Sequence, residues 1–112
     1  MEGVTALDQV LARVSAVQFE LDIYWLKKGG QDPAAFIRRY AGRSPQVHLK
    51  DMDANDGSTA EIGSGLLDMK SILAAAKGAG ARWLIVEQDH CKRPPLESAK
   101  ISIEAIKRIG IN

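Results

Sequence analysis

At 112 residues the chain has room for one domain, residues 1–112, with a core of moderate size. Its 46% apolar and 26% charged residues are ordinary for a globular protein, and 15 Lys and Arg against 14 Asp and Glu leave a formal net charge of +1. No basic stripe interleaved with aromatics is present, which argues against nucleic acid as a partner. No uncharged apolar run approaches the roughly eighteen residues a membrane span needs. The lone cysteine, Cys91, has no internal partner, and residues 1–17 lack the pattern of a signal peptide. The expected compartment is the cytoplasm.

The predicted elements are one helix and then three strand–helix units. Residues 5–16 carry Ala6, Leu7, Val10, Leu11 and Val14 at helical spacing, with Thr5 placed to cap and Asp8 three positions later. Residues 17–24 alternate: Val17, Phe19, Leu21 and Ile23 share one face of a strand, and Gln18, Glu20, Asp22 and Tyr24 the other. Asp32-Pro33 is a helix start, an aspartate at the cap and proline at the first helical position, and the helix runs to about Tyr40.

A second strand spans residues 46–50, with Val47 and Leu49 opposing Gln46, His48 and Lys50. Residues 51–65 are polar and glycine-rich and read as a long loop. Asp68 caps the next helix, whose face is Met69, Ile72, Leu73 and Ala76. A third, apolar strand covers residues 83–86 and finishes at Glu87. The last helix starts at Pro95, buries Ile101, Ile103, Ile106 and Ile109, and stops at Gly110. Strands separated by single helices imply parallel pairing, hence an α/β fold.

Parallel strands covered on both faces are apolar nearly throughout. The first two strands here are not, and their polar groups lie toward the strand ends where α/β barrels build active sites. Asp22, His48 and Glu87, one per strand end, are the ligand types that hold Mn²⁺, Co²⁺, Zn²⁺ or Mg²⁺. The same three residues equally fit solvated or salt-bridged strand ends. Lys50, pointing with His48, is placed to stabilise an enolate-like oxygen or bind phosphate, or else to pair with Asp51 or Glu20. Trp25 is either an apolar wall for a sugar or packing. His90 reads as an exposed loop residue. Gly63-Ser64-Gly65 has neither the preceding strand nor the lysine of a phosphate loop. Cys91, beside Lys92 and Arg93, has no assured histidine partner and is not read as catalytic.

The segments Glu20-Leu-Asp-Ile-Tyr-Trp25, Val47-His-Leu-Lys-Asp51, Glu61-Ile-Gly-Ser-Gly65 and Trp83-Leu-Ile-Val-Glu-Gln-Asp89 follow one another in an order and spacing that resembles a known family. It is the sugar phosphate isomerase/epimerase family, the xylose-isomerase-like barrels that include inosose dehydratase and ketose 3-epimerases. The similarity runs from about Gly3 to Gly110. It implies the C-terminal portion of a (βα)8 TIM barrel: three parallel strands, each followed by a helix, plus one N-terminal helix.

The family's metal ligands are a glutamate, an aspartate, a histidine and a glutamate. By position the resemblance assigns the last three to Asp22, His48 and Glu87. It implies a divalent metal acting as Lewis acid, a sugar or sugar phosphate substrate, and Glu87 as one of two acid/base glutamates moving a proton next to a metal-bound carbonyl. Lys50 and Trp25 fall on the family's substrate side, and Lys50 is carried as a catalytic residue with Glu87. The first glutamate and the five strands that would carry it have no counterpart in the sequence, so activity of the isolated chain is expected only if oligomerisation or a partner chain completes the site.

Three parallel strands leave two open edges. By alternation Trp83 and Ile85 share the inward face with Glu87, and covering each is worth about 1.5–3 kcal/mol. The expectation is therefore a homo-oligomer, with a two-fold dimer as the first form. The alternative function is a catalytically inactive barrel piece that self-associates as a structural or binding module.

Overall fold

The computed structural model describes residues 5–110. The expected onset of the resemblance at Gly3, and the outermost residues of the expected domain, lie outside that range. α1 (Ala6–Arg13) opens on a reciprocal cap: the Asp8 N–H donates to Thr5 Oγ1 at 3.0 Å, and the Thr5 N–H to Asp8 Oδ2 at 3.0 Å. It is shorter than its periodicity predicts. Beyond Arg13 the chain is held instead by Arg43, whose guanidinium donates to the carbonyls of Leu11, Val14 and Val17 at 2.7, 2.8 and 3.0 Å. Of the expected apolar face only Leu11 is buried; Leu7, Val10 and Val14 stay exposed.

β1 (Glu20–Asp22) is also shorter than the predicted strand, for a local reason. Asp22 Oδ1 accepts from the N–H groups of Tyr24 and Trp25 at 3.0 and 3.2 Å, which caps α2 (Ile23–Lys28) and ends the strand. Tyr24, expected on a polar strand face, is buried in that helix and its hydroxyl donates to the Gly57 carbonyl at 2.6 Å. α3 (Pro33–Arg39) starts at the Asp32-Pro33 signal, with Asp32 accepting from the Ala35 N–H.

β2 (Gln46–Leu49) follows. The expected loop of residues 51–65 holds a small antiparallel ribbon, β3 (Asp51–Met52) with β4 (Thr59–Ala60). α4 (Met69–Gly78) is capped by Asp68, β5 is Trp83–Val86, and α5 is Pro95–Ile109 with Gly110 left-handed at its end.

β1, β2 and β5 form one parallel sheet in that order. Register sets Asp22 beside His48 and His48 beside Ile85. Period-two alternation then divides the sheet into two faces. Leu21, Val47 and Leu49 are buried in one core cluster with Phe36 and Ile37 of α3, Ile72 and Leu73 of α4, and Ala105 and Ile106 of α5.

The opposite face carries the polar residues, together with Trp83 and Ile85, which are 64% and 37% exposed. On α5, Ile103 is exposed rather than core, whereas Ser98, Ser102, Ala105 and Ile106 are buried. Ser98, Ser102 and Ala105 share a helical stripe with Ile109, and Ile103 lies about a third of a turn off it. The two serines keep their hydroxyls satisfied, Ser98 donating to Glu61 at 2.9 Å and Ser102 accepting from the Ile62 N–H at 3.0 Å.

The loop after β2 is organised by Asp51, which is fully buried. Its carboxylate accepts from the N–H groups of Met52, Gly63, Gly65 and Leu67 at 2.8 to 3.1 Å. Gly65 permits this approach, since a Cβ there would lie 2.3 Å from the Met52 carbonyl oxygen. The Gly63 and Gly65 amides therefore cradle a carboxylate of the protein's own, while the Ser64 N–H donates to the Glu61 carbonyl.

Candidate metal centre

Asp22, His48 and Glu87 arrive at one place from the ends of β1, β2 and β5. One ligand atom from each lies within 4.8 Å of the other two. His48 Nδ1 is 3.6 Å from Asp22 Oδ2 and 3.2 Å from Glu87 Oε2. Asp22 divides its oxygens between two tasks, Oδ1 capping α2 and Oδ2 facing this space. The opposite edge of the imidazole is taken by Glu20, whose Oε1 lies 2.6 Å from Nε2.

Lys50, one residue past β2, is 1% exposed along its side chain. Its Nζ lies 2.9 Å from Asp22 Oδ2, 2.9 Å from Glu87 Oε1 and 3.0 Å from Asp89 Oδ2. An ammonium has three N–H donors, and three carboxylates take them. Burial alone would lower its pKa, but the hydrogen bonds it donates to Glu87, Asp22 and Asp89 outweigh that and raise it. Lys50 is thus a fixed positive charge beneath the site rather than an ammonium open to a sugar. Its partners are neither Asp51 nor the Glu20 that its sequence position also allowed.

Glu20, Asp22, Glu87 and Asp89 are four carboxylates around a single ammonium and an imidazole. The donor set fits a divalent cation. Two carboxylate oxygens converge on one imidazole nitrogen, at separations compatible with metal–ligand bonds of about 2.0–2.2 Å. A carboxylate backs the other ring nitrogen in the manner of metal-bound histidines.

Trp25 donates its backbone N–H to Asp22 Oδ1 at 3.2 Å. It is 53% exposed on the first turn of α2, and its ring borders a shallow groove with Ala6, Leu7, Leu26 and Phe36. His90 is exposed, its N–H donating to Thr59 Oγ1, and Cys91 is a half-buried free thiol. Glu20 and Asp51 entered the sequence reading of the site only as alternative charge partners for Lys50. Glu20 had a signal, since it precedes Asp22 by two on the same strand face and is therefore diagonal to His48.

No family model matches the chain, and no curated protein does. Solved structures do. A sugar phosphate isomerase/epimerase from Parabacteroides distasonis superposes with a TM-score of 0.73 at 27% identity, over 89% of this chain and 34% of that one. A xylose isomerase domain protein from Alicyclobacillus acidocaldarius gives a TM-score of 0.71 at 17% identity, over 97% of this chain and 43% of that one. An L-ribulose 3-epimerase gives 0.71 at 18% identity, over 94% and 41%.

The fold is that of part of an α/β barrel. Within that class the chain resembles the sugar phosphate isomerases/epimerases, the family its motifs indicate. It spans about a third of the first of these structures. Among the described residues no helix is long and apolar enough to cross a membrane.

Proposed function

We propose that this chain carries the greater part of a divalent-metal site of a sugar or sugar phosphate isomerase/epimerase, with Asp22, His48 and Glu87 as ligands. The observation that supports this is the approach of one ligand atom from each of three parallel strand ends to within 4.8 Å of the others. Such a cation, when bound, supplies Lewis-acid polarisation of a substrate carbonyl. Mn²⁺, Co²⁺, Mg²⁺ and Zn²⁺ all suit carboxylate and imidazole donors.

The chain's own residues prepare that chemistry. Glu87 is the most accessible of the three proposed ligands, with 43% of its side chain exposed, so it can meet a substrate C–H and hold or return its proton. Lys50 donates to Glu87 Oε1 and Asp22 Oδ2, fixing both carboxylates while lessening their mutual repulsion. Its part in catalysis is therefore positioning and electrostatic. Trp25 sits on the substrate side in this reading: its exposed indole, on the helical turn capped by Asp22, offers a sugar an apolar wall.

The test is a titration of the chain with Mn²⁺, Co²⁺ and Zn²⁺, repeated on Asp22→Ala and His48→Ala. One equivalent bound by the wild type and lost in both variants is expected. Binding that neither substitution weakens would contradict the reading.

A second reading has its own observation. Trp83 and Ile85 lie exposed on the sheet face that also bears His48. An apolar patch beside an open sheet edge favours self-association, with a homodimer first, and a chain that associates without catalysing is the corresponding function. Sedimentation equilibrium decides it: a monomer at every concentration removes this reading.

A further inference from the structure

From the close contact between Glu20 and His48 we infer that Glu20 is a positioning residue that fixes the tautomer of that imidazole. The inference rests on the metal reading above. Glu20 Oε1 lies 2.6 Å from His48 Nε2, and a carboxylate oxygen at that distance only accepts. Nε2 therefore carries the proton. A bare nitrogen there would set its lone pair against the carboxylate.

In the neutral ring Nδ1 is then the lone-pair nitrogen, and it faces Asp22 Oδ2 at 3.6 Å and Glu87 Oε2 at 3.2 Å. Three electron-rich atoms turned toward one another are what a cation between them satisfies. Without Glu20 the ring has no partner to prefer this tautomer over the other. Protonated at Nδ1, it would donate to the two carboxylates and close the space a cation needs.

The backbone explains how Glu20 reaches. It stands opposite Gln46 in the β1–β2 register, one pair before Asp22 and His48, on the same face of the strand. Asp22 cannot do this work as well. One of its oxygens is committed to the cap of α2, and the other points at Nδ1 and Lys50.

The test uses the full chain, with Zn²⁺ as the probe. Zn²⁺ affinity is measured for wild type, Glu20→Ala and Glu20→Gln, and the ring nitrogens of His48 are followed by long-range ¹H–¹⁵N NMR in the Zn²⁺-loaded state. The only other histidine, His90, is assigned by its own substitution. Glu20 is partly exposed, so both variants keep the fold; its side chain is 40% accessible.

Loss of an outer partner of a metal-bound histidine costs about tenfold to a hundredfold in affinity, and Glu20→Ala is expected in that range. Glu20→Gln keeps an oxygen acceptor and is expected to recover most of the loss, with the proton on Nε2. Unchanged affinity in Glu20→Ala, equal weakness in both variants, or a Nδ1 proton in the loaded wild type would each overturn the role of Glu20. A wild-type chain that takes no Zn²⁺ would remove the metal reading itself, so the two failures are distinguishable.

Discussion

Lys50 Nζ lies 2.9 Å from Glu87 Oε1, so a buried ammonium joins the residue after β2 to the residue after β5. The same nitrogen holds Asp22, the last residue of β1. One cation thereby ties together the C-terminal ends of all three parallel strands, at the place where the proposed ligands meet.

Replacing Lys50 by Met leaves Asp22, Glu87 and Asp89 facing one another without a counter-charge. Breaking a buried ion pair by removing one partner costs about 3 kcal/mol or more. A loss near that size is expected in urea unfolding, and a saturating divalent cation is expected to restore part of it. The pKa of Lys50 is raised in the fold, so its stabilisation is complete below the ordinary lysine value and fades only as pH climbs past it. The penalty is therefore the same at pH 6 and pH 9.

Asp51→Ala removes the acceptor of four backbone N–H groups at a fully buried position. Each orphaned donor costs on the order of 1 kcal/mol or more, so a loss of several kcal/mol is expected. Gly65→Ala is expected to act in the same direction, because its Cβ would collide with the Met52 carbonyl oxygen. Thermal unfolding checks both, and a melting temperature unchanged in either would contradict the account of this loop.

Asp8 accepts from the Tyr40 hydroxyl, the Thr5 N–H and Arg39, and these bonds lower its pKa to about 2, the Tyr40 bond most strongly. A depressed carboxyl pKa stabilises the fold above the unfolded value near 3.8, and that contribution is lost as pH falls toward 2. The melting temperature should fall over that window, and less steeply in Asp8→Asn. Some slope persists in the variant, since Asp56 is also held at about 2, by Ser58 first and then by Lys92.

Much of this architecture was legible in the sequence, and where it was not the reason is local. The caps at Thr5, Asp32 and Asp68 and the alternation of Val47 and Leu49 act within a few residues, so spacing alone reveals them. Asp22, His48 and Glu87 could be grouped because neighbouring parallel strands carry their end residues side by side. The length of the first strand was misjudged because Asp22 serves a helix cap as well as the sheet. Ile103 was counted as core because hydrophobicity alone ignores Ser98 and Ser102, which are buried by hydrogen bonding to Glu61 and Ile62. The tether of Asp51 to residues 63–67 and the three partners of Lys50 are contacts between distant segments, with no local pattern to announce them.

Trp83→Ser with Ile85→Ser should dissolve any self-association while leaving the monomer folded, the cost falling mainly on Ile85, which is 37% exposed against 64% for Trp83. Sedimentation of wild type and variant at equal concentration checks this. A wild-type oligomer that survives both substitutions would place its interface elsewhere.

The most direct measurement is anomalous diffraction from crystals of the chain soaked in Mn²⁺. A single strong peak bonded to Asp22 Oδ2, His48 Nδ1 and a Glu87 oxygen is the predicted result. Crystals saturated with Mn²⁺ that show no density among those three side chains would contradict the account.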